Sequence, residues 1–164
     1  MTDTISHADD WGGRISRALS LIGILGFIIL ALVTISDVML RWLFSAPIDG
    51  FAEVARLAVA ILTATFLPAA LIERYHISIE FLGKWFGPRL HLVFDVLAAL
   101  ITLGFFTLMS WQFIHYTQEL AAAGETTWII GIIVAPYWWV VTGLVIFCVP
   151  MQLLVLLRVI LRAP

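Results

Sequence analysis

Four long apolar stretches, each about as long as a bilayer's hydrocarbon core is thick, leave this chain few ways to fold. They lie at about residues 19–44, 51–72, 90–116 and 136–157, and a helix needs roughly 20 apolar residues to cross a core about 30 Å thick. The first, 19–44, is apolar around its whole circumference rather than along one stripe, so every side of it must meet lipid or protein. A water-soluble domain is roughly half apolar and a quarter charged. Here hydrophobic residues make up 62% of 164 and charged residues 12%, more apolar surface than a soluble core can use. The expected fold is an all-α membrane protein with four transmembrane helices in a single integral membrane domain, 1–164.

The connections refine this picture. At 45–50, Pro47 and Gly50 interrupt the helix and Asp49 can accept backbone N–H bonds at the next N-terminus. Pro68 should loosen the end of the second span, where Ala60 and Ala64 offer a close-packing face. After it, Ile77, Phe81, Leu82, Trp85 and Phe86 share one helical face and Glu80 and Lys84 stack on the other, so 76–86 reads as a short amphipathic helix lying in the interface. Gly87-Pro88 ends it. Residues 117–127 read as a polar loop, and 128–134 as an apolar segment packed on the membrane face before Pro136 opens the fourth span. Pro150 is an expected kink.

Lys and Arg set the orientation. Arg14 and Arg17 precede the first span, Arg74, Lys84 and Arg89 lie between the second and third, and Arg158 and Arg162 follow the fourth, while 45–50 and 117–127 have none. Both termini are therefore expected in the cytoplasm. The N-terminus lacks the basic region and cleavage site of a signal peptide and is expected to remain as a polar tail. Trp42, Trp111, Tyr116, Trp128, Tyr137, Trp138 and Trp139 would form an outer aromatic belt.

Charges inside or near spans normally find partners, because an unpaired ion at mid-membrane costs about 2.5–3.5 kcal/mol on insertion scales. Two helices joined by a short turn run antiparallel, so Arg41 and Glu53 fall at similar depth, with Asp37 and Arg56 about one turn deeper. This spacing predicts a cross-hairpin ladder, Arg41 with Glu53 and Asp37 with Arg56; outward snorkelling of Arg41 is the alternative. His91 and His115 stand at opposite ends of one span, which disfavours haem ligation between helices. The single cysteine, Cys148, offers no disulfide or zinc spacing, and no basic run suggests nucleic acid. No catalytic constellation is present, and the chain shows no internally repeated halves of the kind autonomous transporters carry. It reads as no enzyme, without cofactor or metal, and as a subunit that packs beside a larger membrane protein. The alternatives are a membrane anchor of a redox complex and a small homo-oligomeric multidrug exporter.

Three sequence runs add a resemblance. Asp37-Val-Met-Leu-Arg41-Trp-Leu-Phe44 with Pro47 and Glu53, then Arg74-Tyr-His76-Ile77-Ser-Ile79-Glu80, then Gly124-Glu-Thr126-Thr followed by Pro136-Tyr-Trp, resemble the small membrane subunit (DctQ-like) of tripartite ATP-independent periplasmic (TRAP) transporters. The resemblance implies a bacterial inner-membrane protein that scaffolds a large membrane subunit. That subunit would carry organic acids with sodium, the substrate arriving on a periplasmic binding protein. Sodium coupling is then expected in the large subunit, and Arg74, His76, Glu80 and Pro136 become candidate partner contacts. The chain departs from the family pattern at Phe51-Ala52-Glu53-Val54, where an aromatic-polar-Glu-Glu run is common, and at Glu80, where Asp is common.

Overall fold

The computed structural model describes residues 2–46, 48–73 and 88–161. They form four helices: α1 (Thr2–Phe44), α2 (Phe51–Glu73), α3 (Pro88–Ala123) and α4 (Ala135–Leu161). Each contains a segment long and apolar enough to cross a membrane, Gly12–Phe44, Phe51–Leu71, Leu92–Ala123 and Ala135–Leu161. The interfacial helix expected at 76–86 lies outside the described residues.

α1 packs on α2, α2 on α4 and α4 on α3, so the helices stand in the order α1, α2, α4, α3 across a slab. Burial follows this order: 39% of the spanning window is buried in α4 and 33% in α2, against 6% in α1 and 11% in α3. The outer two helices therefore offer most of the surface for lipid or a partner. Helices joined at the hairpin end run antiparallel: Gly26 faces Leu62 and Gly23 faces Thr65 between α1 and α2, and Ala99 bonds Gln152 while Ser110 bonds Val145 between α3 and α4, whereas the central neighbours α2 and α4 run parallel. The start of α1 and the end of α4 consequently lie at one end of the slab, and the α1–α2 turn and α3–α4 connection at the other, here called the hairpin end.

Between helices in lipid there is little hydrophobic driving force, so close contact and hydrogen bonds must supply the cohesion. Gly23 and Gly26 let α1 approach Leu62, Thr65 and Phe66 of α2, where a Cβ on either glycine would collide with those side chains. Phe27 stacks on Phe66 beside them, ring centroids 6.0 Å apart. Ala64 packs against Val141 and Val145 of α4 with Ala60 next to it, so the small pair on α2 does lie at a helix contact. Gly12 lets α1 reach Met151 of α4 near the termini end.

Polar contacts join α3 to α4. The buried hydroxyls of Thr117 and Thr142 meet at 2.8 Å, Ser110 Oγ donates to the Val145 carbonyl at 3.4 Å, and Gln152 Nε2 donates to the Ala99 carbonyl at 3.2 Å. Thr117 also donates to the Phe113 carbonyl, which leaves Thr142 as the donor within the threonine pair. Spans three and four are thus less uniformly apolar in function than in composition.

Three helix ends differ from the sequence expectation by more than two residues. α1 starts at Thr2, so the polar tail continues the helix: hydropathy marks where the apolar segment begins, and nothing breaks the backbone before it. α3 runs to Ala123, seven residues past 116, because Gln118 to Ala123 are good helix formers and the stop signal is Gly124. That glycine takes φ 64°, and the Glu125 N–H bonds back to the Leu120 carbonyl at 3.4 Å, a Schellman-type cap. α4 continues to Leu161 rather than 157. α2 and α4 remain helical through Pro68 and Pro150.

Candidate functional site

At the hairpin end two carboxylates, Asp37 and Glu53, tie loops down. Asp37, one turn before the end of α1 reaches Arg41, is only 5% exposed. Its Oδ2 accepts from Arg41 Nη2 at 2.9 Å and its Oδ1 from the Ile48 backbone N–H at 2.7 Å. The second bond closes the α1–α2 turn over the side of α1. Ser45 makes the reversal possible by adopting φ 52°, an uncommon conformation for a residue other than glycine.

Glu53, in the first turn of α2, holds the other connection. Its Oε1 accepts from the Ile129 N–H at 2.9 Å and its Oε2 from the Ile130 N–H at 3.2 Å. These amides belong to a small hairpin: Thr126 pairs with Ile133, the Thr127 N–H bonds to the Ile132 carbonyl at 2.9 Å, and the Gly131 N–H returns to the Thr127 carbonyl at 3.1 Å. Gly131 turns the chain at φ 70°. Ile130 then lies against Gly50, where a Cβ would overlap it and where φ is 74°. Segment 128–134 is therefore a hairpin clamped to the start of α2, with Trp128 98% exposed beside the clamp.

This arrangement corrects the predicted ladder. Arg41 bonds Asp37 on its own helix, not Glu53, and Asp37 has both oxygens engaged without Arg56. Depth matching weighed only side-chain partners and ignored backbone N–H groups, which the turns leave in need of acceptors. Asp49 is exposed and α2 is opened instead by the Gly50 carbonyl, which accepts from Glu53 at 3.0 Å and Val54 at 3.3 Å. Arg56 is exposed on α2. Among the described residues no cluster of three or more His, Cys, Asp or Glu is placed to hold a metal ion.

At the opposite end, a cavity of about 610 Å³ opens between α2 and α3 over α4, lined by residues including Leu67, Ala70, Asp95, Ala99, Thr102 and Gln152. Its walls are mainly apolar, and its place between packed helices is one where ligands and partner side chains are commonly received. His115 packs edge-on to Trp111 at 4.8 Å near the hairpin end. Pro136 is exposed in the first turn of α4, while Arg74, His76 and Glu80 lie outside the described residues.

Residues 30–164 match the family model for tripartite ATP-independent periplasmic transporters, DctQ component. The chain belongs to the DctQ family. None of the curated proteins matches it. As a DctQ protein it is a component of a transporter rather than a member of a known enzyme family, and with its four spanning helices it is a multi-pass membrane protein. The match includes both hairpin-end connections of this DctQ chain and begins within α1, leaving residues 2–29 of that helix outside. Described residues of the DctQ runs fall at the clasped places, Asp37 and Arg41 at the first turn, Glu53 at the clamp and Gly124 at the cap of α3, while the run 74–80 lies outside the described residues.

Several residues of the clasp carry no sequence signal of their own. Ile48, Ile129 and Ile130 act through backbone N–H groups, so side-chain identity does not reveal them. A signal did exist for Gly50 and Gly131, since glycine between apolar runs commonly marks a positive φ.

Proposed function

We propose that this protein is the small scaffold subunit of a TRAP-type secondary transporter, supporting a large membrane subunit in sodium-driven uptake of organic acids delivered by a periplasmic binding protein. The observation that carries this reading is the slab itself, whose two loops at the hairpin end are each fixed by a carboxylate, Asp37 and Glu53, that accepts backbone N–H groups. A plate of this kind suits the stationary part of a machine whose moving part is elsewhere. Sodium and substrate are handled by the large subunit. The hairpin end faces the periplasm and both termini face the cytoplasm of a bacterial inner membrane, in keeping with the distribution of Lys and Arg. Segment 76–86 lies in the inner interface, and Arg74, His76, Glu80 and Pro136 contact partner subunits.

The test is reconstitution. In liposomes the chain alone should transport nothing, and uptake should appear only when the large subunit and the binding protein are added. Transport by the chain alone would instead make it an exporter, and co-purifying haem or quinone absorbance would make it a redox anchor.

A further inference from the structure

On the reading of the chain as a scaffold for a larger membrane subunit, we propose that the open face of α2 receives a transmembrane helix of that subunit, and that Arg56 pairs with a carboxylate which that helix carries. Ala52, Arg56, Val59, Thr63 and Ala70 are all exposed and recur at helical spacing, forming one stripe. Beyond the first turn, where Val54 is also exposed, the rest of α2 is covered. Leu57, Ala64 and Pro68 are buried behind it, Thr65 and Phe66 meet α1, and Ala64 meets α4. Past its first turn α2 is thus an inner helix with one narrow open face.

The charge on that face decides the occupant. Arg56 follows the start of the Phe51–Leu71 spanning segment by five residues, which puts its Cα about 7.5 Å further in at 1.5 Å per residue. Among the described residues no hydrogen bond or ion pair reaches it, and the acid expected to neutralise it, Asp37, is taken by Arg41 and Ile48. A guanidinium inside a spanning segment calls for a counter-ion, and its planar fork fits a carboxylate with two parallel bonds. Below it the stripe carries no side chain larger than valine, whereas the exposed surface of α1 carries Leu21, Leu25, Ile28 and Leu32. Bulky aliphatic side chains suit lipid tails, and small ones let a second helix come close. The complementary helix carries Asp or Glu one to two turns inside the hairpin end.

The experiment uses the full chain co-expressed with its large subunit. A photo-crosslinking residue such as p-benzoylphenylalanine is placed at Val59 or Thr63, and at Leu25 on α1 for comparison. Adducts from 59 and 63 should contain the large subunit, and those from 25 should not. Arg56→Glu should lower the recovered large subunit roughly tenfold or more, as reversal of one partner in a desolvated charge pair does, while Arg56→Lys retains most of it. If Arg56→Glu fails to fold, the crosslinks decide. Adducts of phospholipid mass at both positions, or unchanged recovery by a folded Arg56→Glu chain, would overturn the assignment. An unsubstituted chain that recovers no large subunit would overturn the scaffold reading itself.

Discussion

Glu53 in the first turn of α2 accepts a hydrogen bond from the Ile129 N–H at 2.9 Å, across 76 positions of sequence. This bond, with its companion to Ile130, makes the α3–α4 connection part of the same rigid end as the α1–α2 turn. A scaffold that must present a fixed surface needs such ties, since loops are otherwise its most mobile parts.

Replacing Glu53 by Ala should release the hairpin. Amide hydrogen exchange at Ile129 and Ile130 is expected to rise to open-loop rates, while Thr117 and Thr142, bonded to each other between α3 and α4, keep their neighbourhood protected. Glu53→Gln should give an intermediate result, because its amide retains one carbonyl acceptor for two N–H donors.

Asp37→Ala leaves the Ile48 N–H without its acceptor and Arg41 without its partner. A loss of about 1–3 kcal/mol is expected from the unsatisfied donor, read as a lower unfolding midpoint in detergent. Arg41→Ala should cost less, about 0–1 kcal/mol, since its side chain is 65% exposed. A double-mutant cycle should find coupling between Asp37 and Arg41 and none between Asp37 and Arg56.

Thr117→Val strands the Thr142 hydroxyl at a fully buried contact. Its cost should fall near 0.6 kcal/mol and below about 1.7, the range of interhelical polar contacts in membranes. Changing both threonines to Val should cost less than the sum of the single changes, because no hydroxyl is then left unpaired. Unfolding of the two single variants and the double variant in one detergent checks this.

Gly23 of α1 and Gly104 of α3 should behave in opposite ways. Gly23→Ala drives a methyl into the Thr65 hydroxyl and the Phe66 ring, and overpacking of this kind costs about 1–3 kcal/mol. Gly104→Ala meets nothing within 4 Å and should be neutral or stabilising by up to about 1 kcal/mol, as helical Gly→Ala changes are. Thermal midpoints of the two variants test the contrast.

Much of the fold was legible in the sequence because a bilayer imposes its thickness on any chain that crosses it. Runs of about 20 apolar residues had to be spans, and short turns between them had to make neighbours antiparallel. Ala60 and Ala64 were legible as a packing face for a related reason, since only small side chains permit close approach in lipid. The helix ends were less so: Gln118 to Ala123 is polar enough to resemble a loop and helical enough to extend α3, and only the cap at Gly124 separates the two.

The sequence by itself determined the number of spans, the antiparallel order of connected pairs and the gathering of Asp37, Arg41, Glu53 and Arg56 toward one end of the helices. Only the tertiary structure decided which group each carboxylate serves. Asp37 turned to Arg41 and Ile48, and Glu53 to Ile129 and Ile130, because backbone N–H groups freed by the turns compete with distant cations for the same oxygens. Such donors are present at every residue but proline, so their demand is invisible in sequence until the fold places them.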